Sequence, residues 1–273
     1  MEEITPTVST VVAQTNILGL AAADRSRVPV ALFQVQTLSD LRDVTFQKAL
    51  IDFVKQNLDV DFVYKFSLPQ LTESLPPWQL MEGHKALLAL PDTTGQGLFV
   101  GGSSALHYMT GYIKGNNKVN WKSNDVDIFF LNCPQNSRMG GAPGALDFVF
   151  CKDQTIEDVL LNFDLPCCRV GFDFKYNYYV SAQALVAIFT GKMYMPEYFA
   201  SEQEFTKTLT EYNLKPNVGQ HHAVVHKMII ERFYERVKKY QSRGFATVYT
   251  HLKYVMPWVK NRFTYVDFES RVE

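Results

Sequence analysis

Asp125 and Asp127 stand one residue apart in the stretch S-N-D-V-D-I-F-F-L, residues 123 to 131. Side chains alternate along a strand, so both carboxylates project from one face while Val126 points to the other. Two anions held side by side repel each other and require positive charge between them. A hard divalent cation, Mg²⁺ or Mn²⁺, meets that need through oxygen ligands, above all when phosphate oxygens complete its shell. The apolar run I-F-F-L behind the pair anchors the strand in a core and stiffens its acidic end, as a metal site requires.

A second stretch, L-F-V-G-G-S-S-A-L at residues 98 to 106, supplies the complementary half. Glycine lets backbone come close to a ligand, and the helix that follows offers unpaired N–H groups and the positive end of its dipole. Gly101, Gly102, Ser103 and Ser104 therefore form a candidate phosphate cradle, with Ser103 either capping the helix or donating to a phosphate oxygen. Taken singly, a D-x-D strand and a glycine turn are common features. Their order, with strand, turn, helix and then acidic strand, is far more specific.

V-G-G-S-S-A-L followed by N-D-V-D-I-F-F resembles the signature of the DNA-polymerase-β-type nucleotidyltransferase superfamily. That signature is hydrophobic-Gly-(Gly/Ser), a short helix, then Asp-hydrophobic-(Asp/Glu)-hydrophobic. On this resemblance Gly102 and Ser103 are the paired small residues, and Asp125 and Asp127 the metal carboxylates. The 23 positions from Gly102 to Asp125 exceed the gap in the most compact members, and the N-N-K loop at 116–118 accounts for the surplus. F-D-L-P-C-C-R-V-G-F-D and K-K-Y-Q-S-R-G-F resemble segments of nucleotidyltransferase-like proteins of large DNA viruses and of fungi. The resemblance covers roughly residues 95 to 246, makes a viral protein an expectation, and leaves the N-terminal third unassigned.

What the resemblance implies is a transferase that binds an NTP with Mg²⁺ (or Mn²⁺) and moves a nucleoside monophosphate to a hydroxyl acceptor. The superfamily uses a third acid on a neighbouring strand, both as metal ligand and as base. Asp164, at the end of a helix, is the first choice, which makes Asp125, Asp127 and Asp164 the expected catalytic and metal-binding set. Asp173 is the second choice and Asp147, in L-D-F-V-F, the third. Pro166 is a departure: it stands where relatives tend to carry a second acid in F-D-L-D. It opens the other reading, a catalytically inactive nucleotidyltransferase-fold protein with a structural, interaction or nucleotide-sensing role. Lys192, Lys238, Lys239 and Arg243 are candidates to hold the triphosphate or a nucleic-acid backbone.

These residues need elements to place them. The expected fold class is α+β: a polymerase-β-like mixed sheet flanked by helices, followed by a mainly helical C-terminal region. Residues 1–92 form an N-terminal region of unknown role, 93–192 the nucleotidyltransferase core, and 193–273 the helical region. In the first, T-F-Q-K-A-L-I-D-F-V-K-Q-N-L from Thr45 to Leu58 repeats apolar residues with the rhythm of a one-sided helix. In the second, G-L-F-V and D-V-D-I-F-F-L are strands around a short helix stopped by Gly111. L-D-F-V-F-C is a further strand, I-E-D-V-L-L-N-F a helix, and the stretch from Phe163 to Val180 is β-like. The third contains a long amphipathic helix from His221, ended by Gly244.

From residue 221 to the end, ten Lys or Arg face five acids, whereas the whole chain has a formal net charge of −1. Bulk charge therefore excludes general polyanion binding, and the basic helices alone could track an RNA backbone toward its 3′ end. No apolar stretch approaches the roughly 20 residues of a membrane span. The N-terminus fits neither a secretory signal nor a transit peptide. Cys133, Cys151, Cys167 and Cys168 match no zinc spacing and read as reduced thiols, which suits an intracellular, cytoplasmic protein, in host cytoplasm or virion if viral. His222 and His226 sit four apart on a helix but lack a third ligand. Y-N-Y-Y at 176–179 reads as core packing before base stacking, and the absence of G-x-S-x-G excludes a serine-hydrolase elbow.

Overall fold

Short runs rich in β-branched and aromatic residues, V-Y-K-F-S, L-F-V-G, V-D-I-F-F and N-Y-Y-V-S, give strands, and one sheet gathers them. The computed structural model describes residues 16–67, 97–115, 119–123, 125–139, 146–173, 177–216, 222–251 and 254–265. Strands β1 (Ile17–Leu18), β2 (Val63–Ser67), β3 (Leu98–Gly101), β4 (Val126–Phe130), β5 (Ser137–Met139), β6 (Leu146–Phe150), β7 (Val170–Asp173) and β8 (Asn177–Ser181) form it. Their spatial order is β1-β2-β8-β7-β3-β4-β6-β5. All neighbours are antiparallel except β4 and β6, which run parallel. The architecture is α+β, a mixed sheet flanked by helices.

Helices follow the apolar stripes and their caps. α1 (Val30–Phe33) is a single turn. α2 (Val44–Gln56) is the helix expected from Thr45, started by Asp43, whose carboxylate accepts the Phe46 N–H at 2.7 Å. α3 (Ser103–Lys114) runs past Gly111, the expected stop, and ends at Gly115 with φ +97°. Gly111 is buried inside the helix, where a small residue lets it pack closely. α4 (Ile156–Leu161) opens on a reciprocal Thr155–Asp158 capping box. α5 (Ala182–Thr190) is apolar nearly all round and buried accordingly.

α2, α3 and α5 cover one face of the sheet over a large core that includes Leu50, Phe53, Phe62, Tyr64, Phe66, Val100, Val126, Ile128 and Leu185. α4 covers part of the other face over a smaller cluster with Phe99, Phe129, Leu131 and Leu160. The sheet crosses the boundary drawn at residue 92: β2 pairs with β8 from Val63↔Ser181 to Ser67↔Asn177. A buried ion pair, Arg169 to Asp61 at 2.7 Å, stitches the same two regions together. Gln183 satisfies that pair further, accepting from Arg169 and donating to Leu58 O.

The C-terminal region is helical with two small sheets. β9 (Lys192–Pro196) pairs in parallel with β11 (Ala246–Thr250), and β10 (Leu214–Pro216) pairs antiparallel with β12 (Phe263–Tyr265). Between them lie α6 (Glu202–Glu211), α7 (His222–Ser242) and α8 (Pro257–Arg262). All four cysteines are buried free thiols. No helix among the described residues is long and apolar enough to cross a membrane.

Candidate active site

Strand register sets Gly101, Asp127 and Asp147 in one row, with Asp125 just ahead of β4. Gly101 on β3 lies opposite Asp127 on β4, and Asp127 lies beside Asp147 on the parallel strand β6. The chain then leaves β3 through Gly102 at φ +73°, ψ −138°, a conformation open to glycine and strained for other residues. A Cβ on Gly102 would lie 3.2 Å from Asp127 Oδ2, so the turn presses its bare backbone against that carboxylate. The Gly102 N–H is spent on Val170 O at 3.2 Å, which pins the turn to β7.

Ser103 and Ser104 serve the acidic strand rather than standing open as a cradle. Ser103 Oγ lies 2.6 Å from Ser123 Oγ and donates to Asp125 Oδ1 at 3.2 Å. Ser104 Oγ donates to the Asp125 carbonyl at 2.7 Å, and Ser123 Oγ donates to the same oxygen at 2.8 Å. Three hydroxyls thus fix the backbone and carboxylate of Asp125 from the first turn of α3 and the loop before β4. Ser123 was not among the residues singled out by spacing, because nothing local marks a loop serine as a partner of residues twenty positions earlier.

Asp127 and Asp147 share a cation that belongs to the chain. Arg138, on the edge strand β5, donates to Asp127 Oδ1 at 3.1 Å and to Asp147 Oδ2 at 2.5 Å. Asp147 Oδ1 is fully buried and has no hydrogen-bond partner among the described residues. Burial pushes the Asp127 carboxyl up from its usual range; the Arg138 charge opposes this, while the charges of Asp125 and Asp147 reinforce it. Arg236, on α7, is also near enough for its charge to favour the ionised form. Among the described residues, no three His, Cys, Asp or Glu side chains are gathered closely enough to hold a metal ion as they stand. The donor chemistry nevertheless suits a hard divalent ion: carboxylate oxygens, one of them buried and unpaired, at the end of stiff strands.

The first-choice third acid is not on this row of strands. Asp164 does not open a strand; it follows α4, accepts the Leu165 N–H at 2.8 Å and pairs with Arg236 at 3.2 Å. Pro166, buried at the first position of a single 3-10 turn (Pro166–Cys168), is therefore not on the strand beside Asp127. Asp173 is paired with Phe99, at the opposite end of β3 from Gly101, and accepts from Asn177 N, Asn177 Nδ2 and Tyr179 Oη to shape the β7–β8 hairpin. Asp147, the third choice, is the acid the sheet sets beside Asp127.

The basic candidates divide. Arg243 is buried, donates to Lys122 O at 3.2 Å and stacks over Trp121 at 4.4 Å and Tyr240 at 5.0 Å. Trp121 in turn meets the His107 ring edge-on at 4.9 Å, so this stack joins α3, the loop into β4 and the end of α7. One terminal nitrogen, Arg243 Nη1, is buried and has no hydrogen-bond partner among the described residues. Lys239 shares the helix face of Arg236 and Arg243 by its i+3 spacing, whereas Lys238 is exposed and points away from it. Lys192 is exposed at the start of β9, and no hydrogen bond or ion pair among the described residues ties its side chain to the acids. The N-N-K loop at 116–118, Asn124, Tyr176 and the His222 and His226 side chains lie outside the described residues.

Comparisons with family models, with curated proteins and with solved structures return no match to this chain.

Proposed function

We propose that this chain is a metal-dependent nucleotidyltransferase whose acidic set is Asp125, Asp127 and Asp147. The observation that carries the reading is the row Gly101–Asp127–Asp147 across three adjacent strands, with the Gly102 turn pressed against it. A divalent cation held there would polarise phosphate oxygens and favour ionisation of an acceptor hydroxyl. The chain's own residues do the rest. Ser103, Ser104 and Ser123 orient Asp125, the buried end of Asp147 offers an oxygen already stripped of water, and Arg236 supplies positive charge from α7. Fixed dipoles and charges of this kind act without reorganising during the reaction. The basic C-terminal helices support an RNA 3′ end as the acceptor.

A second reading has its own observation. Arg138 already shares its positive charge between Asp127 and Asp147, as a charge built into a non-catalytic nucleotidyltransferase fold would do. Pyrophosphate release from NTPs with Mg²⁺ and an RNA oligonucleotide separates the two. Asp127→Asn and Asp147→Asn are expected to lose at least about a hundredfold in turnover while keeping the wild-type far-UV spectrum. Asp164→Asn is expected to lose only about tenfold, the low end for a residue that reaches the site through another, here Arg236. Undiminished turnover in Asp127→Asn would overturn the transferase reading, and Mg–NTP binding without pyrophosphate release would support the second.

A further inference from the structure

Arg138 is the best-placed cation in the molecule and belongs to no motif. It sits on a three-residue edge strand whose members are all exposed, and its own side chain is 60% exposed. One Nη nevertheless touches both Asp127 and Asp147, the two carboxylates that face each other across the β4–β6 pair. Asp147 is otherwise buried at 7% side-chain exposure, so its charge has been taken out of water, and among the described residues Arg138 is the partner of Oδ2. A guanidinium that reaches in from an exposed edge and is itself 60% exposed can leave at small cost in packing. The carboxylates cannot leave, being fixed on central strands.

Charge balance then decides what can replace it. A free divalent ion entering between Asp127 and Asp147 expels Arg138 and leaves the guanidinium without a counter-charge beside a new cation. A metal–polyphosphate complex brings both signs: the ion for the carboxylates and phosphate oxygens for the guanidinium, whose planar fork matches them. We propose that Arg138 is a displaceable counter-ion that makes the acidic site select a metal–polyphosphate complex over the free metal ion, handing its donors from carboxylate to phosphate as the complex binds. This rests on the reading of Asp127 and Asp147 as metal ligands. It makes Arg138 a specificity-determining residue that spacing in the sequence does not mark.

The test uses the full chain and binding rather than turnover. Free Mn²⁺ is titrated against wild type and Arg138→Gln by electron paramagnetic resonance, and preformed Mn²⁺–tripolyphosphate is titrated by calorimetry. Arg138→Gln should bind free Mn²⁺ about tenfold tighter or better, as expected for removing a charge-assisted competitor. It should bind the tripolyphosphate complex more weakly than wild type does. Asp127→Asn should abolish Mn²⁺ binding in both backgrounds. Equal Mn²⁺ affinity in wild type and Arg138→Gln, with binding still lost in Asp127→Asn, overturns the counter-ion role and leaves the metal reading standing. So does undiminished affinity of Arg138→Gln for the complex. Mn²⁺ binding that is absent from both chains, or that survives Asp127→Asn, overturns the metal reading and the Arg138 proposal together.

Discussion

At the scale of single residues, Gly102 is the position where the chain has least choice. Its φ of +73° with ψ of −138° lies outside what side-chain-bearing residues adopt comfortably, and the missing Cβ is where Asp127 Oδ2 comes within 3.2 Å. Gly102→Ala should therefore destabilise the fold by ~1–3 kcal/mol, measured by urea unfolding. It should also push the Asp127 carboxylate out of the row, so the Mn²⁺ binding proposed for that row should fall along with stability. A variant as stable as wild type would mean that the turn has another accessible path. Gly101 next to it has an ordinary strand pairing; there the crowding comes from Phe99 and Phe129.

At the scale of elements, α3, the loop before β4 and α7 are held together by one buried arginine. Arg243 stacks on Trp121 and Tyr240 and donates to Lys122 O, and Trp121 leans on His107 of α3. Burial keeps the His107 imidazole below its usual pKa, with a Trp121 backbone hydrogen bond working against that shift. The loop so clamped is the one that delivers Ser123 and Asp125. Arg243→Ala should cost ~2–4 kcal/mol through lost cation–π contact, packing and a charge-assisted hydrogen bond. Arg243→Lys should not restore it, since an ammonium cannot stack and donate in one plane. Denaturant midpoints of the three chains decide the matter; recovery in the lysine variant would reduce Arg243 to a simple charge.

At the scale of the whole molecule, the N-terminal region cannot be separated from the sheet. β2 provides the neighbour of β8, and Leu50, Phe62, Tyr64 and Phe66 are fully buried in the shared core. Four such side chains are worth ~6–12 kcal/mol of burial. That is comparable to the ~5–15 kcal/mol by which a domain is stable at all. A chain beginning at residue 93 is therefore expected to lack a cooperative fold, read as a collapsed amide dispersion in NMR and the loss of near-UV dichroism. A well-dispersed spectrum from that chain would instead make residues 1–92 an accessory layer.

What the sequence determined by itself was everything that depends on neighbours a few positions apart. Alternation placed Asp127 on β4, with Asp125 just before its first residue rather than on the strand; a glycine pair marked the turn before α3, and apolar rhythm marked α2 and α7. Even there the ends moved, as Gly111 did not stop α3, because a small buried residue serves packing as readily as termination. The carboxylate beside Asp127 and the cation between the two were not legible in this way. F-D-L-P drew attention to Asp164, but the parallel pairing of β4 with β6 put Asp147 beside Asp127 and left Asp164 to Arg236. Arg138 and Ser123 carry no local signal, and only sheet register brings them to the carboxylates. Spacing along the chain encodes which face a side chain takes; which strands lie side by side is decided by how the whole core closes.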